Sequence, residues 1–222
     1  AHKLIEECML SANVATARFF QAAGLPILYR VHRGPTVEKL KNVRSFLGEL
    51  GLELSGGEKP TPGDYQILIA QIAERPDAHV IQSMLLRSLS QAVYHPENEG
   101  HFGLHYDGYA HFTSPIRRYP DLLVHRGIRH VIRSDISSRH VLRTDVAPIP
   151  ARQIFPYDVA AMVVMGETCS MTERRADDAT REVEAWLKCE FLLSHVGDEF
   201  DGVVAAVTSF GLFVELANIY IE

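Results

Sequence analysis

Two adjacent arginines, Arg117 and Arg118, follow the hydroxyl pair Thr113 and Ser114 and the imino acid Pro115, with Tyr109 a few residues upstream. Serine followed by proline suits the opening of a helical turn, because serine caps free backbone N–H groups and proline has no N–H to satisfy. Free N–H groups, hydroxyls and guanidiniums gathered at one turn make an anion site. Arginine's planar fork can hold two phosphate oxygens at once, which lysine's point charge cannot. The same pattern also suits an ordinary solvated or ion-paired surface. Spacing alone leaves the two readings open.

Other reactive side chains lie nearby. Asp121, His125 and Arg126 continue at helical spacing, with Asp121 expected to orient a guanidinium and His125 to be hydrogen-bonded in the core. Ser114, His125 and Asp121 together contain the side chains of a serine hydrolase, but no Gly-x-Ser-x-Gly elbow accompanies them. His95, His101, His105 and His111 invite a metal reading. Gly103 and Gly108 argue against a helix that would aim them at one ion, and no glutamate completes a zincin pattern. No metal ligand is assigned. Asp177-Asp178, the only adjacent aspartate pair, falls on a charged helix face.

The chain carries a formal charge of −6, yet the charge is unevenly placed. Between His111 and Arg152 stand arginines 117, 118, 126, 129, 133, 139, 143 and 152, opposed only by Asp121, Asp135 and Asp145, a local surplus of five positive charges. Such a stretch suits a polyanion even in an acidic protein. With 222 residues, 46% of them hydrophobic, the chain can bury a full core. No apolar run reaches the roughly 20 residues of a membrane span, and no signal peptide is visible at the start. Cys8, Cys169 and Cys189 are odd in number and far apart, which disfavours a disulfide framework or zinc site and suits a reducing cytoplasm.

The run Tyr109-Ala110-His111-Phe112-Thr113-Ser114-Pro115-Ile116-Arg117-Arg118-Tyr119-Pro120-Asp121-Leu122, followed by His125-Arg126, resembles the signature of the ribonuclease R and ribonuclease II (RNB-domain) family. Leu4 to Val14, Tyr29 to His32, His101 to Leu104, Cys169 to Ala176 and Glu182 to Trp186 are similar to further family segments, the last two closer to the ribonuclease R branch. The resemblance implies a 3′-to-5′ processive exoribonuclease that takes the 3′ end of single-stranded RNA into a channel and releases nucleoside 5′-monophosphates. It implies that Arg117 holds the scissile phosphate and that Arg118 is a general phosphate contact. Glu6 would read the terminal ribose, since a carboxylate can accept from a 2′-OH. By spacing alone Glu6 and Glu7 are an exposed acidic pair, of which one faces any substrate. Thr113, Ser114 and Tyr109 complete the expected substrate-binding set. The family's chemistry implies magnesium held by aspartates; those lie upstream of the position matching Ala1, so this chain by itself is expected to lack turnover. The main alternative is a catalytically silent RNA-binding module. Further partners, the ribosome and RNA-decay factors among them, stay open.

The elements that must position these residues read as α+β. Leu4, Cys8, Ala12, Ala15 and Phe19 mark an amphipathic helix ended by Gly24 and Pro26, followed by a short strand over Ile27 to Val31. Thr36 caps a helix ending at Gly51, and Thr61 with Asp64 opens another that Pro76 stops. A further helix is expected from Val80 to Val93, then a buried irregular segment to Phe112 and a helix starting at Pro120. After a loop over Arg143 to Pro156, Asp158 caps a long helical region reaching His195, with a break expected near Ser170. From Glu199 the period is two, a β-hairpin turning at Phe210-Gly211. By resemblance, residues 1–196 are the helical C-terminal part of an RNB catalytic domain. Residues 197–222 likewise resemble the first strands of a truncated OB-fold, where Phe210 and Phe213 either stack on bases or fill the barrel.

Overall fold

The computed structural model describes residues 1–134 and 147–216. Asp135, Arg139, Arg143 and Asp145 of the arginine-rich stretch, the start of the expected 143–156 loop and residues 217–222 of the expected barrel lie outside the described residues. The chain is mostly helical and divides into two compact units, Ala1–Met171 and Thr172–Glu222.

In the first unit, helix α1 (His2–Ala23) ends at Gly24, whose φ of 63° is left-handed and costs glycine nothing. Strand β1 (Tyr29–Val31) follows. Helix α2 (Val37–Glu49) is capped by the Thr36 hydroxyl, which accepts from the Lys39 amide, as the sequence predicts. Helix α3 (Pro62–Ile72) opens on a capping box, with Thr61 and Asp64 each accepting the other's backbone N–H. Helix α4 (Ala78–Ser88) completes a core of Leu40, Val43, Leu47, Leu68, Ile72, Ile81 and Leu85. Each such side chain contributes on the order of 1.5–3 kcal/mol when fully buried.

Helix α4 stops five residues short of the expected Val93, because Leu89 turns extended and residues Val93–His95 form strand β2. Pairing with β1 overrides the helical pattern: Tyr29, Arg30 and Val31 stand opposite His95, Tyr94 and Val93 in an antiparallel ladder. On its other side β1 holds the segment that leads to the arginine pair, since the Arg30 amide donates to the Tyr109 carbonyl at 2.8 Å. A second core beneath that segment joins Ala17 and Phe20 of α1, Tyr29 and Val31 of β1, Ala110, and Val124 of helix α5 (Tyr119–Arg133). Phe20 packs so tightly against α5 that a Cβ on Gly127 would lie 2.6 Å from its ring.

The loop expected before residue 156 contains one helical turn, α6 (Ala151–Ile154). Helix α7 (Val159–Leu193) then runs unbroken through Ser170. The expected break is absent because Ser170 is buried with both hydroxyl roles in use: it donates to the Gly166 carbonyl and accepts the Tyr94 amide at 2.9 Å. A polar residue in the helix thus docks β2 instead of ending the helix. In the second unit, strands β3 (Gly202–Thr208) and β4 (Gly211–Leu216) form an antiparallel hairpin with a register shift between Val204 and Ala206. Phe210 and Phe213 meet edge to face at 6.1 Å, Phe210 being 82% exposed.

Candidate functional site

The arginine pair is built on a single turn ahead of α5. The Ser114 carbonyl accepts the amides of Arg117 and Arg118 at 3.2 and 3.1 Å. Asp121, fully buried in the first turn of α5, closes this turn from both ends. Its Oδ1 accepts the Ser114 amide at 2.7 Å and Arg118 Nη2 at 2.8 Å, while Oδ2 accepts Arg118 Nε at 2.9 Å. An acid at that position is also favoured by the helix dipole. The expectation that Asp121 orients a guanidinium holds, and the guanidinium is that of Arg118.

The turn therefore separates two residues that look equivalent in sequence. Arg118 is held bidentate by a buried carboxylate and has only its Nη1 edge to offer. Arg117 stands exposed at the apex beside Ile116, which is 97% exposed, and its guanidinium has no hydrogen bond or ion pair among the described residues. A free cation on a turn fixed by charge-assisted bonds is preorganised for an anion.

The remaining predicted residues fall at different depths. Ser114 is half-buried at the turn's start. The Thr113 hydroxyl is buried without a hydrogen-bond partner among the described residues. Tyr109 is 6% exposed, and its hydroxyl accepts from Asn13 Nδ2 of α1 at 2.9 Å, so its polar end faces the core. Glu6 is exposed near the start of α1. Seven residues separate it from Asn13, which brings the two within about 20° of the same helix face. Glu7 is turned about 100° away. Glu6 is thus the acid aligned with the face that meets the Tyr109 to Phe112 segment.

Beneath the turn, His125 Nε2 donates to the Phe112 carbonyl at 3.0 Å and its ring stacks on Phe112 at 4.5 Å, the core role expected of it. His111 bonds through Nδ1 to the Tyr94 hydroxyl at 2.9 Å, and the Arg30 guanidinium lies 4.6 Å from the Tyr94 ring centre. Burial first, then the charges of Arg118 and Arg30, push the His111 imidazole down to about 3. His101 is half-buried, and that partial burial first, then the charges of His32 and Arg30, push it down to about 4. Both rings are neutral at physiological pH and add no positive charge to the site. His101 and His105 flank a short 3-10 turn, Phe102–Leu104, and do not share a helix face. Among the described residues no group of three or more His, Cys, Asp or Glu side chains could hold a metal ion.

Several arginines of the basic stretch serve the fold. Arg126 donates to the Ile154 carbonyl and the Tyr157 hydroxyl, and Arg133 to the Ala147 carbonyl. Arg117, Arg129 and Arg152 are exposed and have no such partner among the described residues. Sequence reasoning missed Asn13, whose Oδ1 also accepts the Phe112 amide at 3.0 Å, and the Tyr94–His111–Arg30 cluster. The signal for Asn13 was present: a polar residue in phase with the buried Ala17 and Phe20.

Comparison with known proteins matches residues 1–134 to the RNB domain. Ribonuclease R of Vibrio cholerae serotype O1 is 55% identical over all 222 residues, which span 26% of that protein's length. Among solved structures, Mycoplasma genitalium RNase R in complex with ribose-methylated single-stranded RNA superposes with a TM-score of 0.80 at 24% identity, covering 99% of this chain and 33% of that one. Yeast Ssd1, described as a pseudonuclease, matches 74% of the chain and 19% of its own with a TM-score of 0.57 at 22% identity. At these identities the structural likeness is one of fold. Among the described residues no helix is long and apolar enough to cross a membrane.

Proposed function

Because the chain belongs to the RNB-domain family, with 134 of its residues matched, we propose that it forms the phosphate-gripping wall of a 3′-to-5′ exoribonuclease acting on single-stranded RNA. The observation that carries this reading is the free guanidinium of Arg117 at the apex of a turn locked by Asp121. In this reading Arg117 binds the non-bridging oxygens of the scissile phosphate and offsets the negative charge that grows there in the transition state. Ser114 and the Nη1 edge of Arg118 contact the phosphate or its neighbour. Glu6 accepts from the ribose 2′-OH, which deoxyribose lacks. Thr113 and Tyr109, whose polar atoms are buried, support the turn from below. Magnesium, held by carboxylates that this chain does not itself supply, would provide the activation of water and the charge stabilisation at the leaving oxygen that two-metal hydrolysis needs. Residues 1–196 belong to the catalytic domain and 197–222 open an OB-fold that adds RNA-binding surface. The setting is the reducing cytoplasm.

The test is the Arg117→Ala exchange in the full-length protein, assayed on 3′-overhanging RNA labelled at its 5′ end. Turnover is expected to fall by roughly two to three orders of magnitude with a smaller loss of RNA affinity. Unchanged turnover would sink the assignment. A second reading, a silent RNA-binding module, takes support from the fold likeness to a pseudonuclease. It predicts RNA binding by the full-length protein with no metal-dependent release of mononucleotides.

A further inference from the structure

Asn13 is 1% exposed on the inner face of α1, and both ends of its carboxamide leave the helix. Nδ2 donates to the Tyr109 hydroxyl at 2.9 Å and Oδ1 accepts the Phe112 amide at 3.0 Å. Thr16, the other buried polar residue of α1, turns its hydroxyl back to the Ala12 carbonyl of its own helix. Asn13 therefore ties α1 to the segment that runs directly into Thr113 and the arginine turn, across 96 and 99 residues of sequence. Further along the same face stands Glu6, about 10 Å up the helix axis. A rigid helix with one pinned point transmits that pin to the side chains in phase with it. Along the chain the pin stands seven positions from Glu6 on α1 and, through Phe112, five positions from Arg117.

We propose that Asn13 is the positioning residue that sets the register between Glu6 and Arg117, and so couples recognition of the terminal ribose to the grip on the phosphate. The inference rests on the roles given above to Glu6 and Arg117. A nucleotide held at its phosphate by Arg117 presents its 2′-OH at a fixed offset, and Glu6 reaches that hydroxyl only if α1 keeps its place against the 109–112 segment. An error near 1 Å in such an arrangement costs on the order of 100-fold in rate. Discrimination between ribose and deoxyribose then depends on a buried amide that touches neither. A purely structural Asn13 would affect ribose and deoxyribose substrates alike.

The experiment uses the full-length protein in four forms, Glu6→Ala, Asn13→Ala, Tyr109→Phe and the Glu6→Ala/Asn13→Ala double variant. Each is given single-stranded RNA ending in either a ribonucleotide or a 2′-deoxynucleotide, and kcat and KM are measured separately. Asn13→Ala is expected to lower kcat on the ribose-ended strand by roughly 10- to 100-fold with KM within about threefold, and to lower the ribose preference. The double variant is expected to show no less preference than Glu6→Ala alone, since one residue acts through the other. Tyr109→Phe removes one of the two anchors and keeps the ring, so it carries the test if Asn13→Ala fails to fold, and it is expected to give a smaller shift in the same direction. Equal losses on both substrates, or none, in Asn13→Ala and Tyr109→Phe while Glu6→Ala changes the preference would overturn this proposal alone. An unchanged preference in Glu6→Ala would overturn the ribose-reading role of Glu6 and this proposal with it.

Discussion

Arg117 and Arg118 differ by one position and by nearly everything else. Exchange of Arg117, exposed and without a protein partner among the described residues, is expected to leave stability within about 0.5 kcal/mol while turnover collapses. Lysine at 117 should recover little of that turnover, because a point charge replaces a fork. Asp121→Asn predicts the opposite balance. It leaves the Arg118 guanidinium, whose side chain is only 21% exposed, without its counter-charge, and removing one member of such a pair costs about 3–5 kcal/mol. Urea unfolding of the two variants should separate them, Arg117→Ala matching the parent and Asp121→Asn shifting strongly. If Arg117→Ala were the destabilised variant, the free-apex geometry would be wrong. This division could not be read from the sequence, since nothing in the string Ile-Arg-Arg-Tyr states which guanidinium a carboxylate three or four residues later will take.

The elements were legible where their causes are local. Caps at Thr36, Thr61 and Asp158, the glycine stop after α1 and the two-residue period of the hairpin all depend on residues within a few positions of one another. What escaped depends on distant partners. Strand β2 exists because β1 pairs with it from more than 60 residues away, and α7 continues because Ser170 receives the amide of Tyr94 across 76 residues. The joint between α7 and β2 is correspondingly close: a Cβ on Gly166 would lie 2.6 Å from the Tyr94 carbonyl oxygen and 3.2 Å from Leu28. Backbone cannot swing aside as a side-chain tip can, so Gly166→Ala is expected to cost about 1–3 kcal/mol or more. Ser170→Ala should cost about 1–3 kcal/mol by leaving a buried amide unpaired. Thermal unfolding of both variants checks the joint, and a neutral Gly166→Ala would mean that α7 does not approach β2 so closely.

At the scale of the molecule, charge connects stability to the proposed RNA binding. His101 and His111 are kept neutral by burial and by neighbouring cations, with values of about 4 and 3, whereas an unfolded histidine takes up its proton near 6.5. The unfolded chain therefore binds more protons below that point, and stability is undiminished above about pH 6.5 and falls as pH drops toward 4. Each ring contributes at most about 1.4 kcal/mol per pH unit, and less where solvent reaches it, since both His101 and His111 are only part-buried. Urea midpoints at pH 7, 6 and 5 should fall in order, and an unchanged midpoint would contradict the neutral cluster. These rings also leave RNA attraction to the arginines. Eight arginines in the basic stretch, all free, would give a slope of log affinity against log salt of about −5.6 on single-stranded RNA. Arg126 and Arg133 are already engaged by protein acceptors, so no more than six remain and the slope from this stretch should be no steeper than about −4.2. Arg117→Ala should flatten it by about 0.7. Fluorescence anisotropy of the chain with labelled single-stranded RNA between low and physiological salt measures both quantities. A slope near that of eight free cations, or one unmoved by Arg117→Ala, would place the RNA on a surface other than the turn that Asp121 holds.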